Sequence, residues 1–265
     1  MPLTTIHFHT KEGEKLNVGK SSKKLAEDFE KSKIDYLILT DKASACEKID
    51  LPIKSFKKIK SHLDSKKDNL IFGLEFLTYD NYHVLGLCLN AEEWKNELAP
   101  KKFEDICKAI DENGGIIAIP HQFGVCGLGE KVNKILELYE IGEISHKPLI
   151  EVSYYLECIP SFKRELTKPN RKAISYAKQN NLAIFSGLDS RFKSFDLAYN
   201  FSEEEPEIAL KKASEYGFQN CCLVPYITLS HFPMFRETVY LIRDHGISFV
   251  RTRKLEGFEF LLKSI

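Results

Sequence analysis

Apolar residues gather into short runs of strand length, separated by longer stretches in which they recur every three or four positions. The strand-length runs fall at 4–9, 35–40, 70–76, 82–88, 115–119, 149–153, 182–186 and 247–251. Helical spacing falls near 21–32, 101–113, 130–141, 162–180, 206–217 and 232–245. Asn113-Gly114-Gly115 and Asn180-Asn181 close two of these helices, since glycine and asparagine accept the left-handed backbone of a helix end. Strand and helix in alternation predict an α/β fold with parallel strands, and enough such units close into a barrel with its helices outside. Little more than Thr78-Tyr79-Asp80-Asn81 separates the runs at 70–76 and 82–88, which predicts a hairpin and therefore a distorted barrel.

The 265 residues suit one large domain, expected to span 1–265. Lysine plus arginine and aspartate plus glutamate balance at 38 each, so no global charge draws the chain to nucleic acid or to an anionic membrane. No apolar run is long enough to span a bilayer and the start does not read as a signal peptide, so the expected compartment is the cytoplasm, with no membrane partner. Seven cysteines without a C-x-x-C pair read as reduced packing residues. The lysine-rich stretch at 54–67 reads as a solvated helix face.

The candidate chemistry lies at strand ends. In an extended strand, residues two apart point to the same side about 6.5 to 7 Å apart, so His7 and His9 can converge on one ligand. Glu75 interrupts the apolar run LIFGLEF, where a carboxylate is expensive to bury unless paired or bound to a cation. His83 sits similarly in YHVLGLC, His121 follows the run at 115–119 through Pro120, and Asp189 follows the run at 182–186. In a parallel barrel such positions meet at one mouth, where active sites assemble. Imidazole and carboxylate together suit Zn, Mn or Fe, and paired ions activate water for hydrolysis. No serine or cysteine stands with a histidine and a carboxylate as a covalent nucleophile would.

The ordered series HFHT at 7–10, LTDKA at 39–43, GLE at 73–75, HVLGL at 83–87, GGIIAIPHQFG at 114–124, IEVSY at 150–154 and SGLDSR at 186–191 resembles the PHP (polymerase and histidinol phosphatase) superfamily over nearly the whole chain. The resemblance implies a distorted (β/α)7 barrel, TIM-barrel-like, with a multinuclear metal centre and phosphoesterase chemistry. It also implies that His7, His9 and Asp189 bind one metal, with Glu75 bridging it to a second held by His83 and His121.

Departures from the family pattern matter as much. Lys42 and Arg191 stand where the family usually places histidine ligands of a third ion, so the expected cofactors are two divalent ions, Zn, Mn or Fe. Lysine and arginine cannot ligate a metal but add positive charge at the mouth, and arginine's planar fork fits phosphate oxygens. Asp41 is expected to orient a ligand or pair with Lys42. The function expected is therefore hydrolysis of a small anionic phosphoester, a metabolite or nucleotide, with Lys42, Arg191 and Asp41 assisting. One rival is a nuclease on short nucleic acid, favoured if the stretch at 54–67 flanks the mouth. Another is a module that binds metal or ligand without turnover. A third, amide or lactone hydrolysis, fits the two basic residues less well. Among further mouth candidates are the glycine-rich loop at 124–130, Tyr154, Tyr155 and His231.

Overall fold

The computed structural model describes residues 1–13, 19–44, 50–92, 94, 102–124, 126–153, 168–190, 194–218 and 223–227. All of them belong to one compact unit, Met1–Ser230. Seven strands close a ring: β1 (Leu3–Phe8), β2 (Tyr36–Ser44), β3 (Leu70–Leu77), β4 (His83–Leu87), β5 (Ile116–Ile119), β6 (Leu149–Ser153) and β7 (Ile184–Ser190), which returns to β1. Neighbouring pairs are parallel except around β4, which runs antiparallel to both β3 and β5. The expected hairpin is its cause: Thr78 N–H donates to Tyr82 C=O, and Asn81 takes a left-handed φ of 61°. Reversing one strand distorts the barrel and brings the start of β4 to the end where the parallel strands finish.

The helices are α1 (Ser22–Lys31), α2 (Asp50–Lys60), α3 (Phe103–Glu112), α4 (Val132–Glu140), α5 (Lys168–Gln179) and α6 (Pro206–Tyr216). Alternation along each strand sorts the core into two sets. Phe72, Leu74, Phe76, Val84, Ile117, Ile119 and Ile150 pack with Ile106 and Ile110 of α3, Val132 and Ile135 of α4, and Ala177 of α5. That face is the helix-covered exterior of the barrel. Ile6, Ile38, Leu85, Leu87, Ile116, Ala118, Leu149 and Phe185 form the other set, together with Ala209, Leu210 and Ala213 of α6. Ile116 and Leu149 open their strands and Leu87 closes the reversed one, so α6 packs apolar residues at the end where the parallel strands begin. The opposite mouth is left for polar groups.

Some elements differ from the sequence expectation. Helix α2 was expected only as a solvated face at 54–67, because its buried positions are Pro52, Ser55 and Ile59, a weakly apolar stripe. Two short strands, β8 (Ala198–Phe201) and β9 (Val224–Ile227), were not expected at all. β8 pairs antiparallel with the first residues of β1, and its signal is masked by Asn200. That buried side chain accepts from Ser186 N–H and donates to Ser186 C=O. β9 pairs with β8 and carries Pro225, a residue that edge strands tolerate. The strand expected at 247–251, the helix at 232–245 and the first part of the helix at 162–180 lie outside the described residues. No helix among the described residues is long and apolar enough to cross a membrane.

Candidate metal centre

Backbone irregularity at the mouth begins in β1 and β7. Against β2, Thr5 pairs with Leu37 but Phe8 with Leu39, so β1 carries one extra residue there. Against β1, the span from Gly187 to Ser190 faces only Ile6 to Phe8, so β7 carries one extra residue in turn. These bulges hold His7 at φ 64° and Asp189 at φ 42°, and His121 sits at φ 32° just after β5. Left-handed φ at a non-glycine residue costs on the order of 1–3 kcal/mol, and bulges commonly re-aim side chains beside active sites. Three of the expected ligands share this backbone irregularity.

The side chains converge in two trios. One potential ligand atom from each of His7, His9 and Asp189 lies within 4.8 Å of the others, and the same holds for Glu75, His83 and His121. Glu75 joins them. Its Oε2 lies 3.5 Å from His9 Nε2, and its Oε1 lies 3.7 Å from His7 Nε2, 2.6 Å from His83 Nδ1 and 3.6 Å from His121 Nε2. Asp189 Oδ1 is 3.3 Å from His9 Nε2 and 3.7 Å from His7 Nε2. His7 Nε2, His121 Nδ1 and both Glu75 oxygens are buried without a well-directed hydrogen bond among the described residues. Buried polar atoms left so are unusual, and convergent imidazole nitrogens and carboxylate oxygens are the donor set of a divalent transition metal. The residues present therefore fit such ions.

The charges of the site act on one another. Burial opposes ionisation of Glu75, yet its electrostatic interactions with His83 and Lys42 and hydrogen bonding from His121 and His7 hold its pKa well below the usual carboxylate range. Asp189 behaves alike: burial is outweighed by His7 and by a hydrogen bond from His9. Burial disfavours the His7 cation, but Glu151, Asp189 and Glu75 together raise its pKa well above the ordinary value. Burial lowers that of His83 to about 4, with Lys42 and His121 acting in the same direction and Glu75 against it. His83 is therefore neutral at pH 7, as a ligand should be.

All six residues expected as ligands are at the mouth. β2 runs four residues beyond its expected end, which sets Lys42 opposite Glu75 in register and its Nζ 3.5 Å from Glu75 Oε2. β7 likewise runs on past its expected end, so Asp189 lies within the strand and not after it. Asp41 holds the chain just after His9: its oxygens accept from Thr10 N–H (2.5 Å) and Thr10 Oγ1–H (2.6 Å). Arg191, Tyr154, Tyr155 and His231 lie outside the described residues. One residue went unassigned in the sequence. Glu151, fully buried in β6, approaches His7 Nδ1 at 2.5 Å and accepts from His121 N–H at 2.7 Å. Its signal was the one that revealed Glu75, a carboxylate interrupting an apolar strand, here LIEVS.

Neither a family model nor a curated protein matches the chain. Among solved structures, the chain is similar to a two-domain protein from Bacteroides vulgatus containing a predicted PHP-like metal-dependent phosphoesterase, with TM-score 0.55 and 16% identity over 85% of this chain and 64% of that one. PsfC from Pseudomonas syringae aligns with TM-score 0.54 and 10% identity, covering 90% of this chain and 97% of that one. A lesion-specific endonuclease from Pyrococcus furiosus, PfuEndoQ, aligns with TM-score 0.51 and 12% identity, covering 80% of this chain and 56% of that one. The chain thus spans less than two thirds of the length of the first and third. At these identities the likeness is one of fold, a distorted α/β barrel.

Proposed function

We propose that the chain is a metal-dependent hydrolase of the PHP superfamily, a phosphoesterase that acts on a small anionic phosphoester with two divalent ions, Zn, Mn or Fe. The observation that carries this reading is Glu75, a buried carboxylate that forms one trio of ligand atoms with His83 and His121 and whose oxygens also lie 3.5 Å from His9 Nε2 and 3.7 Å from His7 Nε2 of the other. His7, His9 and Asp189 would hold one ion, His83 and His121 the other, with Glu75 between them. When bound, such a pair supplies Lewis acidity at a phosphoryl oxygen and lowers the pKa of water.

The chain's own residues supply the rest. Lys42, one-third exposed at the mouth, brings an ammonium beside Glu75, where it attracts an anionic substrate and stabilises charge on phosphoryl oxygens. Arg191 is assigned the same task. Asp41 holds Thr10, and through it the chain that follows His9.

A nuclease is the weaker reading. Lys57 is drawn to Glu92, Lys58 to Glu12 and Lys60 to Asp68. Lys66 Nζ donates to the carbonyls of Phe29, Ser32 and Ile34, at the end where β2 begins, away from the mouth. Much of the lysine-rich stretch is thus paired with carboxylates or turned away from the mouth. The test is a screen of phosphomonoesters, phosphodiesters and short oligonucleotides with protein reconstituted in Mn, Zn or Fe. Turnover of small phosphoesters, abolished by chelator and by His121→Ala, supports the reading. Two ions bound with no turnover on any phosphoester would leave a binding module in its place.

A further inference from the structure

Glu151 is fully buried, and both of its oxygens are engaged. Oε1 lies 2.5 Å from His7 Nδ1, and Oε2 accepts from the backbone N–H of His121 at 2.7 Å. His7 belongs to one trio and His121 to the other, so a single carboxylate reaches both. Both of these residues hold left-handed backbone conformations that need support from their surroundings. The neighbouring strand makes room for the carboxylate, because a Cβ at Gly187 would lie 1.7 Å from Glu151 Oε1. Any side chain at that position would displace the Glu151 carboxylate.

We propose that Glu151 is the positioning residue of the centre: it keeps the His7 imidazole protonated at Nδ1, so that Nε2 is the atom presented to a metal, and it fixes the backbone of His121. The inference rests on the metal-dependent reading above. A carboxylate can only accept, so its partner nitrogen must carry the hydrogen, and in the neutral ring that a metal binds the other nitrogen is left with its lone pair. His7 Nε2, buried without a well-directed hydrogen bond among the described residues and 3.7 Å from both Glu75 Oε1 and Asp189 Oδ1, is that other nitrogen. Carboxylates placed in this way behind histidine ligands orient the ring and raise its basicity. Glu151 would not itself touch a metal or a substrate.

Glu151→Gln separates this role from a structural one. The amide oxygen can still accept from His121 N–H, but the amide NH2 then faces His7 Nδ1 and demands a lone pair there. The hydrogen is driven to Nε2, the metal-facing atom. Zn(II) and Mn(II) affinities are measured by chelator competition, alongside thermal unfolding of the metal-free protein. The expected result is one ion bound as in the wild type and the other bound roughly 10–100-fold more weakly, in a metal-free protein that still unfolds cooperatively. Gly187→Ala, which crowds the carboxylate, is expected to weaken the same ion. Wild-type affinity for both ions in Glu151→Gln would overturn the role, as would an equal loss at both sites accompanied by a collapse of metal-free stability. A wild-type protein that binds neither metal would overturn the centre itself.

Discussion

Glu75 Oε1 lies 2.6 Å from Nδ1 of His83, across the hairpin that reverses one strand of the barrel. Glu75 registers with Leu85 and His83 with Leu77, so the two are diagonal neighbours on one face. Were β4 parallel like the other strands of the ring, His83, its first residue, would start at the closed end of the barrel. The reversal carries it to the mouth instead. The distortion of the barrel and the composition of the site are thus one feature.

His83 makes the metal-free protein sensitive to acid. Its pKa is about 4 in the folded chain and ordinarily about 6.5 when exposed, so between those values the unfolded chain binds more protons. The contribution of His83 is complete above about pH 6.5 and is lost as pH falls towards 4, on the order of 3 kcal/mol in all. Urea unfolding at several pH values should show a shallower acid loss for His83→Gln than for the wild type.

His7 has the opposite sign. Its pKa is raised against burial, chiefly by Glu151, so the protonated ring stabilises the metal-free protein at low pH and ceases to do so as pH rises through that pKa. A metal must displace this proton. Titration calorimetry in buffers of different ionisation enthalpy should show net proton release at pH 7 on filling the site with His7. His83, already neutral, should release none. Affinity at the His7 site should fall about tenfold per pH unit on the acid side of its pKa.

Lys42→Met tests the division between holding metal and using it. Lys42 stands 3.5 Å from Glu75 Oε2 but cannot itself ligate a metal. The expected outcome is unchanged metal content with phosphoester turnover reduced roughly 10–100-fold, read from kcat and KM on whichever small phosphoester the screen identifies.

Asp41 should matter to stability more than to chemistry. Its carboxylate accepts from both the N–H and the hydroxyl of Thr10, and Thr10 Oγ1 in turn lies 2.7 Å from the buried Ser55 hydroxyl of α2. Asp41→Ala would leave the buried Thr10 N–H without this acceptor. A loss of about 1–3 kcal/mol is expected in chemical denaturation.

Much of this was legible in the chain because burial makes polar residues conspicuous. His7, His9 and Glu75 stand out as interruptions of apolar runs, and the hairpin announces itself through its turn residues. Glu151 sends the same signal as Glu75, but whereas His83 follows Glu75 across one hairpin, the groups that explain Glu151 are not near it in sequence. Its partners, His7 and His121, come from strands distant in sequence. The bulges in β1 and β7 left no trace, since one extra residue in a strand is defined only by its neighbour's register. The reach of β2 and β7 beyond their apolar stretches was hidden because Asp41, Lys42 and Asp189 look like loop residues until a polar mouth accounts for them. Helix α2 hid for a related reason, since its inward face relies on a proline and a hydrogen-bonded serine.

The central claim is that Glu75 is shared between two metal ions. The most direct measurement is metal content per chain by elemental mass spectrometry, after reconstitution with Zn, Mn or Fe, in the wild type and in Glu75→Ala. About two ions in the wild type and a sharp fall in the variant is the expected result. No bound metal in the wild type, or two ions retained without Glu75, would contradict the account.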